Sequence, residues 1–131
     1  MNSWATKVDC VTLFVDNLET SKNFYERVLG LTLIYEDENS AVFNFANLSI
    51  NLLKTSAADE LISPAAVAGS GSGSRFQFTL SVDDVDAVCA ELAELGVSLL
   101  NGPMDRPWGI RTASFTDPAG HIWEIAHELN P

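Results

Sequence analysis

The chain repeats itself, and that repeat limits its possible folds more than any other feature. Residues 10–34, CVTLFVDNLETSKNFYERVLGLTLI, align with residues 77–100, QFTLSVDDVDAVCAELAELGVSLL, across one single-residue gap. At an offset of 67, Thr12, Leu13, Val15 and Asp16 recur as Thr79, Leu80, Val82 and Asp83. Beyond the gap, Leu29, Gly30 and Leu33 recur as Leu95, Gly96 and Leu99. Self-similarity at a fixed period marks one supersecondary unit used twice, so whatever the first copy folds into, the second must fold into as well.

Each copy opens on a run rich in β-branched and aromatic residues, 8–15 and 76–82, which reads as a strand. An Asp-Asn or Asp-Asp pair then starts a helix. Its apolar positions are Leu18, Phe24, Tyr25, Val28 and Leu29 in the first copy and Val85, Val88, Leu92 and Leu95 in the second, at helical spacing. Gly30 and Gly96 are suited to stop those helices. Short strands follow at 31–35, 41–45 and 48–53, and again at 97–100, 112–116 and 121–127. The unit is βαβββ, twice, within one domain over residues 1–131: unit one at 8–54, unit two at 76–128, and between them a linker, 55–75, whose Gly-Ser alternation at 69–74 is flexible in composition.

The segment HIWEIAH, 121–127, tests this reading. On a helix, His121, Glu124 and His127 would nearly share a face and resemble a metal site. On a strand, alternation sends Glu124 to the face opposite both histidines. The repeat decides for the strand, because Phe115 corresponds to Phe43, and Trp123, Glu124 and Ile125 correspond to Ile50, Asn51 and Leu52 in a tightly bounded hairpin. The histidines then become hydrogen-bonded or surface groups.

Composition excludes several function classes. With 131 residues, 47% hydrophobic and 19% charged, the chain is of ordinary globular make-up. Seven Lys and Arg against 18 Asp and Glu give a net charge of −11, too few cations to neutralise nucleic-acid phosphates. The same charge favours a cationic ligand or partner. No apolar run is long enough for a membrane span, and the opening MNSWATKVDC lacks the apolar stretch of a secretory signal. Cys10 and Cys89 sit singly in apolar runs, which fits a reduced, cytoplasmic setting.

A duplicated βαβββ unit with VTLFVDNLETSKNFYERVLGL near its start and WGIRTASFTDPAGHIWEI near its end resembles the glyoxalase, bleomycin resistance and extradiol dioxygenase superfamily, also called vicinal oxygen chelate. The likeness spans residues 8–128 and is specific for fold, not for reaction. It implies an α+β fold in which two tandem βαβββ units form a curved mixed sheet around a cleft. In metal-using members the ligands, usually His, His and Glu, come from the opening strand of each unit and the closing strand of the second. By position these slots hold Cys10, Gln77 and Glu124, with Asn51 as the first-half counterpart of Glu124. A thiol, an amide and one carboxylate make a poor divalent site, so the expectation is a cleft without a cofactor, a metal at Cys10, Gln77 and Glu124 being the lesser alternative.

Alternation places Thr12 and Phe14 beside Cys10, and Thr79 and Ser81 beside Gln77. The loop NGPMDRPWGIR, 101–111, offers Trp108 between Pro107 and Gly109, with Arg106 and Arg111 flanking. In the resemblance such a loop borders the binding cleft, and Trp108 either stacks on a planar ligand or covers a core edge. The candidate ligand-binding residues are therefore Cys10, Thr12, Phe14, Asn51, Gln77, Trp108, Arg111 and Glu124, with Glu124 also the candidate catalytic group. The leading expectation is a homodimeric small-molecule binding protein of the bleomycin-resistance type that sequesters an organic compound. Its rivals are a divalent-metal-dependent lyase, isomerase or dioxygenase and a dimeric scaffold with a vestigial cleft.

Overall fold

The computed structural model describes residues 3–130. The chain divides into two compact units, residues 1–69 and 70–131, and the division falls inside the Gly-Ser run. Unit 1 runs β1 (Cys10–Val15), α1 (Leu18–Arg27), β2 (Thr32–Glu36), β3 (Ser40–Asn44) and β4 (Ser49–Lys54). After a single 3-10 turn (Thr55–Ala57) and the short α2 (Asp59–Ile62), unit 2 runs β5 (Gln77–Ser81), α3 (Val85–Glu94), β6 (Asn101–Asp105), β7 (Ile110–Thr116) and β8 (Ile122–Glu128). The strand orders are β1-β4-β3-β2 and β5-β8-β7-β6, with the first pair of each sheet parallel and the others antiparallel. The βαβββ unit is thus present twice as an α+β fold, built as one four-stranded mixed sheet per unit.

The repeat extends to the helix ends. Asn17 accepts a hydrogen bond from the Thr20 N–H, and its counterpart at the same offset, Asp84, accepts from Asp86 and Ala87. Each side chain satisfies donors that the first turn leaves without intrahelical partners. At the other end Gly30 (φ 65°) takes the left-handed conformation, and the Leu31 N–H reaches back to the Tyr25 carbonyl, 3.1 Å away.

Both helices pack on one face of their own sheets, and that face is the core. In unit 1, Leu13 and Val15 of β1, Ala41 and Phe43 of β3, and Ile50 and Leu52 of β4 are buried together with Leu18, Phe24 and Tyr25 of α1. In unit 2 the buried set is Ala113 and Phe115 of β7, Trp123 and Ile125 of β8, and Val85 and Leu92 of α3. Phe78 stacks on Trp123 at 4.5 Å between ring centroids. Burial of alternate residues fixes the register, because a one-residue slip would turn every apolar group outward.

Two expectations are corrected. Residues 97–100 are not a strand: the Val97 N–H is still bonded to the Leu92 carbonyl of the helix end, and the ladder begins only at Leu100, which donates to Ser114. The strand is Asn101–Asp105 instead, inside the stretch 101–111 read as a loop, and it includes the dipeptide Gly102-Pro103. A register shift between Asn101 and Met104 accommodates that dipeptide, and β6 lies at the sheet edge, where a missing N–H donor is tolerated. The linker is also less uniform than its composition implied, since it starts with helical turns in which Ala58 is fully buried. No helix among the described residues is long and apolar enough to cross a membrane.

Gly102 holds the β6 irregularity at φ 85°, and a Cβ there would lie 2.5 Å from the Thr112 carbonyl oxygen. Gly102→Ala is expected to destabilise the protein by about 2 kcal/mol or more, read as a lowered midpoint in urea unfolding.

Candidate functional site

With one face of each sheet filled by its helix, the opposite face is left to carry polar groups. In unit 1 this open face presents Cys10, Thr12 and Phe14 on β1, paired in register with Ser49, Asn51 and Leu53 on β4. The Asn51 amide nitrogen donates to the Thr12 hydroxyl at 3.4 Å. Its amide oxygen is buried and has no partner among the described residues, so its desolvation is left without a compensating bond there. The Cys10 thiol is exposed at the start of the strand.

Unit 2 repeats the arrangement with one change of charge. Thr79 pairs in register with Glu124, as Thr12 does with Asn51, and its hydroxyl donates to Glu124 Oε1 at 3.0 Å. Gln77 lies one alternation before Thr79 on the same face and is exposed. The structure therefore groups Cys10, Thr12, Phe14 and Asn51 on the open face of unit 1, and Gln77 and Glu124 on that of unit 2. Trp108 occupies the turn between β6 and β7 and is 69% exposed, a flat ring presented to solvent at a hairpin tip.

Arg111 is a correction. It pairs in register with His127, and so shares its face with Ala113, Phe115, Trp123 and Ile125, the helix side of the sheet. Its Nε and Nη2 grip both oxygens of Asp86 on α3 at 2.9 and 3.0 Å, and Nη1 reaches Asp105 at 2.9 Å. The hydrogen bonds it donates to the two carboxylates raise its pKa, and the Arg111 guanidinium in turn lowers that of Asp86. Period-two alternation, counted from the true start of β7, turns Arg111 away from Glu124 and makes it a tie between helix and sheet.

Both histidines also lie apart from Glu124. The His127 Nδ1 accepts the Val85 N–H at 2.9 Å, which assigns the ring proton to Nε2, because a backbone N–H can only donate. His121 Nδ1 lies 2.9 Å from Asp117 Oδ2, while Asp117 Oδ1 accepts the His121 and Ala119 N–H groups. Cys89 on α3 is partly buried, and burial, with Asp86 nearby, pushes its thiol pKa up.

Of two further open-face groups, sequence reasoning named Arg106 only as a neighbour of Trp108 and did not name Ser114. Arg106 sends Nε to the Thr112 hydroxyl (2.9 Å) and Nη2 to the Asn101 side-chain oxygen (2.6 Å). Ser114 is paired in register with Asn101 on one side and Glu124 on the other. The available signal was parity within β7: Thr112 and Ser114 share the face of Glu124.

The metal-using pattern of the resemblance asks for imidazole and carboxylate donors. The slots supply a thiol and an amide in unit 1 and an amide and one carboxylate in unit 2, with that carboxylate already accepting from Thr79 and both imidazoles engaged elsewhere. Among the described residues no three His, Cys, Asp or Glu side chains gather as a metal-holding group. This donor set does not fit a divalent catalytic centre.

Comparison with known proteins places this geometry. The family model described as Glyoxalase/Bleomycin resistance protein/Dioxygenase superfamily matches residues 7–125. The uncharacterized protein YraH of Bacillus subtilis (strain 168) is 33% identical over 119 residues, covering 88% of this chain and 93% of its own. The metallothiol transferase FosB of Lysinibacillus sphaericus (strain C3-41) is 30% identical over 113 residues, covering 85% and 74%. Among solved structures, a glyoxalase/bleomycin resistance protein/dioxygenase from Nocardioides superposes with a TM-score of 0.88 at 24% identity, covering 98% of this chain and 87% of its own. TnmS3, an antibiotic binding protein from Streptomyces sp. CB03234, superposes with a TM-score of 0.74 at 27% identity, covering 97% and 99%.

The Asp86–Arg111 tie has a pH signature. A carboxyl whose pKa is lower folded than unfolded stabilises the fold above its ordinary value of 3.8, and that contribution is lost as the pH falls through the lower folded value. Asp86→Asn is therefore expected to flatten the acid limb of stability below about pH 4, as followed by tryptophan fluorescence during acid unfolding.

Proposed function

Because the chain belongs to the glyoxalase/bleomycin resistance protein/dioxygenase superfamily, whose members share this fold, we propose that it is a small-molecule binding protein that sequesters an organic compound without a metal. The observation that carries this reading is the chemistry of the open faces. Thr12 with Asn51, and Thr79 with Glu124, provide hydroxyl, amide and carboxylate groups suited to orienting a ligand. The orphaned Asn51 oxygen awaits a donor, and Phe14 and Trp108 supply apolar surface. The likeness to an antibiotic binding protein supports the same class of ligand, and the charge of −11 favours cationic compounds. A homodimer in a reducing, cytoplasmic setting belongs to the same proposal, the second point supported by two free cysteines.

A second reading, a divalent-metal-dependent enzyme with Glu124 as ligand, draws support from the likeness to a metallothiol transferase and runs against the donor set. A panel of planar and cationic antibiotics, screened by thermal shift with and without added divalent ions, separates the two. Sequestration predicts a raised melting temperature without metal and recovery of the compound unchanged. Since Trp123 is buried, quenching of tryptophan fluorescence reports on the exposed rings. Trp108→Ala is expected to weaken binding about threefold to tenfold. Stoichiometric metal in the purified protein, with shifts only in its presence, would sink the sequestration reading.

A further inference from the structure

Arg106 and Arg111 flank the same β-hairpin turn, yet they are held in opposite ways. Arg111 is neutralised by two carboxylates. Arg106 is held by two neutral acceptors, the Thr112 hydroxyl and the Asn101 amide oxygen, and forms no ion pair among the described residues, although acids outnumber bases 18 to 7. Of the five N–H groups of a guanidinium, the two used here lie on the Nε/Nη2 edge. Nη1 takes part in neither bond, so its two donors can reach a ligand carboxylate.

A second observation lies beside it. Ser114 is only 9% exposed and lies on the same face as Glu124, its partner in register. In register, Asn101, Ser114, Glu124 and Thr79 form one row across β6, β7, β8 and β5. The guanidinium is fastened at the Asn101 end and the Glu124 carboxylate is bonded to Thr79 at the other. With neighbouring strands about 4.8 Å apart, Asn101 and Glu124 are separated by about 10 Å, and Ser114 stands between them. Opposite charges on one face that are each tied to a neutral neighbour, rather than to each other, form a preorganised bipolar row.

We propose that this row binds a bipolar ligand, with an organic carboxylate on Arg106, a cationic or N–H donor group on Glu124, and Ser114 hydrogen-bonding between them. The proposal rests on the small-molecule binding reading and specifies its ligand class. The Glu124 pole accommodates the cationic character that the net charge favours, while the Arg106 pole demands an acid on the same molecule.

The probe is 4-(aminomethyl)benzoate, compared with its methyl ester, which lacks the anion, and with 4-methylbenzoate, which lacks the cation. Affinities are read from the Arg106 Nε–H and Ser114 amide NMR signals. The zwitterion is expected to bind about tenfold or more tightly than either analogue. Arg106→Gln should erase its advantage over the ester, and Glu124→Gln its advantage over 4-methylbenzoate, while Arg106→Lys retains part of the first. Melting temperatures of the variants identify any that fail to fold, and the wild-type preference alone still decides. Equal binding of zwitterion and ester by the wild type, or a preference that survives Arg106→Gln, overturns the proposal. If the antibiotic panel binds and the probes do not discriminate, the row falls while sequestration stands; if the probes discriminate and no panel compound binds, sequestration falls and the row stands.

Discussion

The packing of one helix onto one face of each four-stranded sheet is the constraint from which the rest follows. Leu13, Val15, Ile50, Leu52 and Phe43 must face α1, and Phe115, Trp123 and Ile125 must face α3, so alternation hands the intervening residues to the other face. Thr12, Asn51, Thr79, Ser114 and Glu124 are where they are because their neighbours are apolar. The candidate site is in this sense a by-product of the core, and the same burial that stabilises each unit holds its polar groups in register.

Much of this was legible because the repeat gave two readings of one pattern. HIWEIAH resolves as a strand once Ile50-Asn51-Leu52 is recognised as its counterpart, and the Asn17 and Asp84 caps occupy equivalent positions. What escaped lies where the copies diverge. Nothing in unit 1 matches Gly102-Pro103, so β6 read as a loop, and without its register the two arginines of the hairpin could not be assigned to faces. Arg111 was counted with the ligand-binding residues because it flanks Trp108 in the stretch that the resemblance sets beside the cleft. Its partners, Asp86 and Asp105, lie on two different elements, and their proximity follows only from the packing of α3 on the sheet. Ser114 carried no signal of its own until Asn101 and Glu124 were seen on either side of it.

Family membership narrows the fold far more than the chemistry. Within that fold the donor set distinguishes this chain from the metal-using pattern: a thiol and an amide stand where imidazoles are usual, and both histidines serve the structure, one at the first turn of α3 and one in the turn before β8. The carboxylate that remains is oriented by a threonine hydroxyl. The hydroxyl, amide and carboxylate so held in register are groups suited to orienting a ligand.

The Thr12–Asn51 and Thr79–Glu124 pairs hold equivalent places in the two units, an amide donating to the threonine in one and a carboxylate, one methylene longer, accepting from it in the other. A duplicated platform is evolutionarily permissive in a way a single one is not. Either copy can exchange an amide for a carboxylate, or acquire an arginine, without touching the apolar residues that fold it, and the other copy keeps its earlier chemistry. Ligand preference in such a chain can drift one half at a time, by substitutions confined to alternate positions of a few strands.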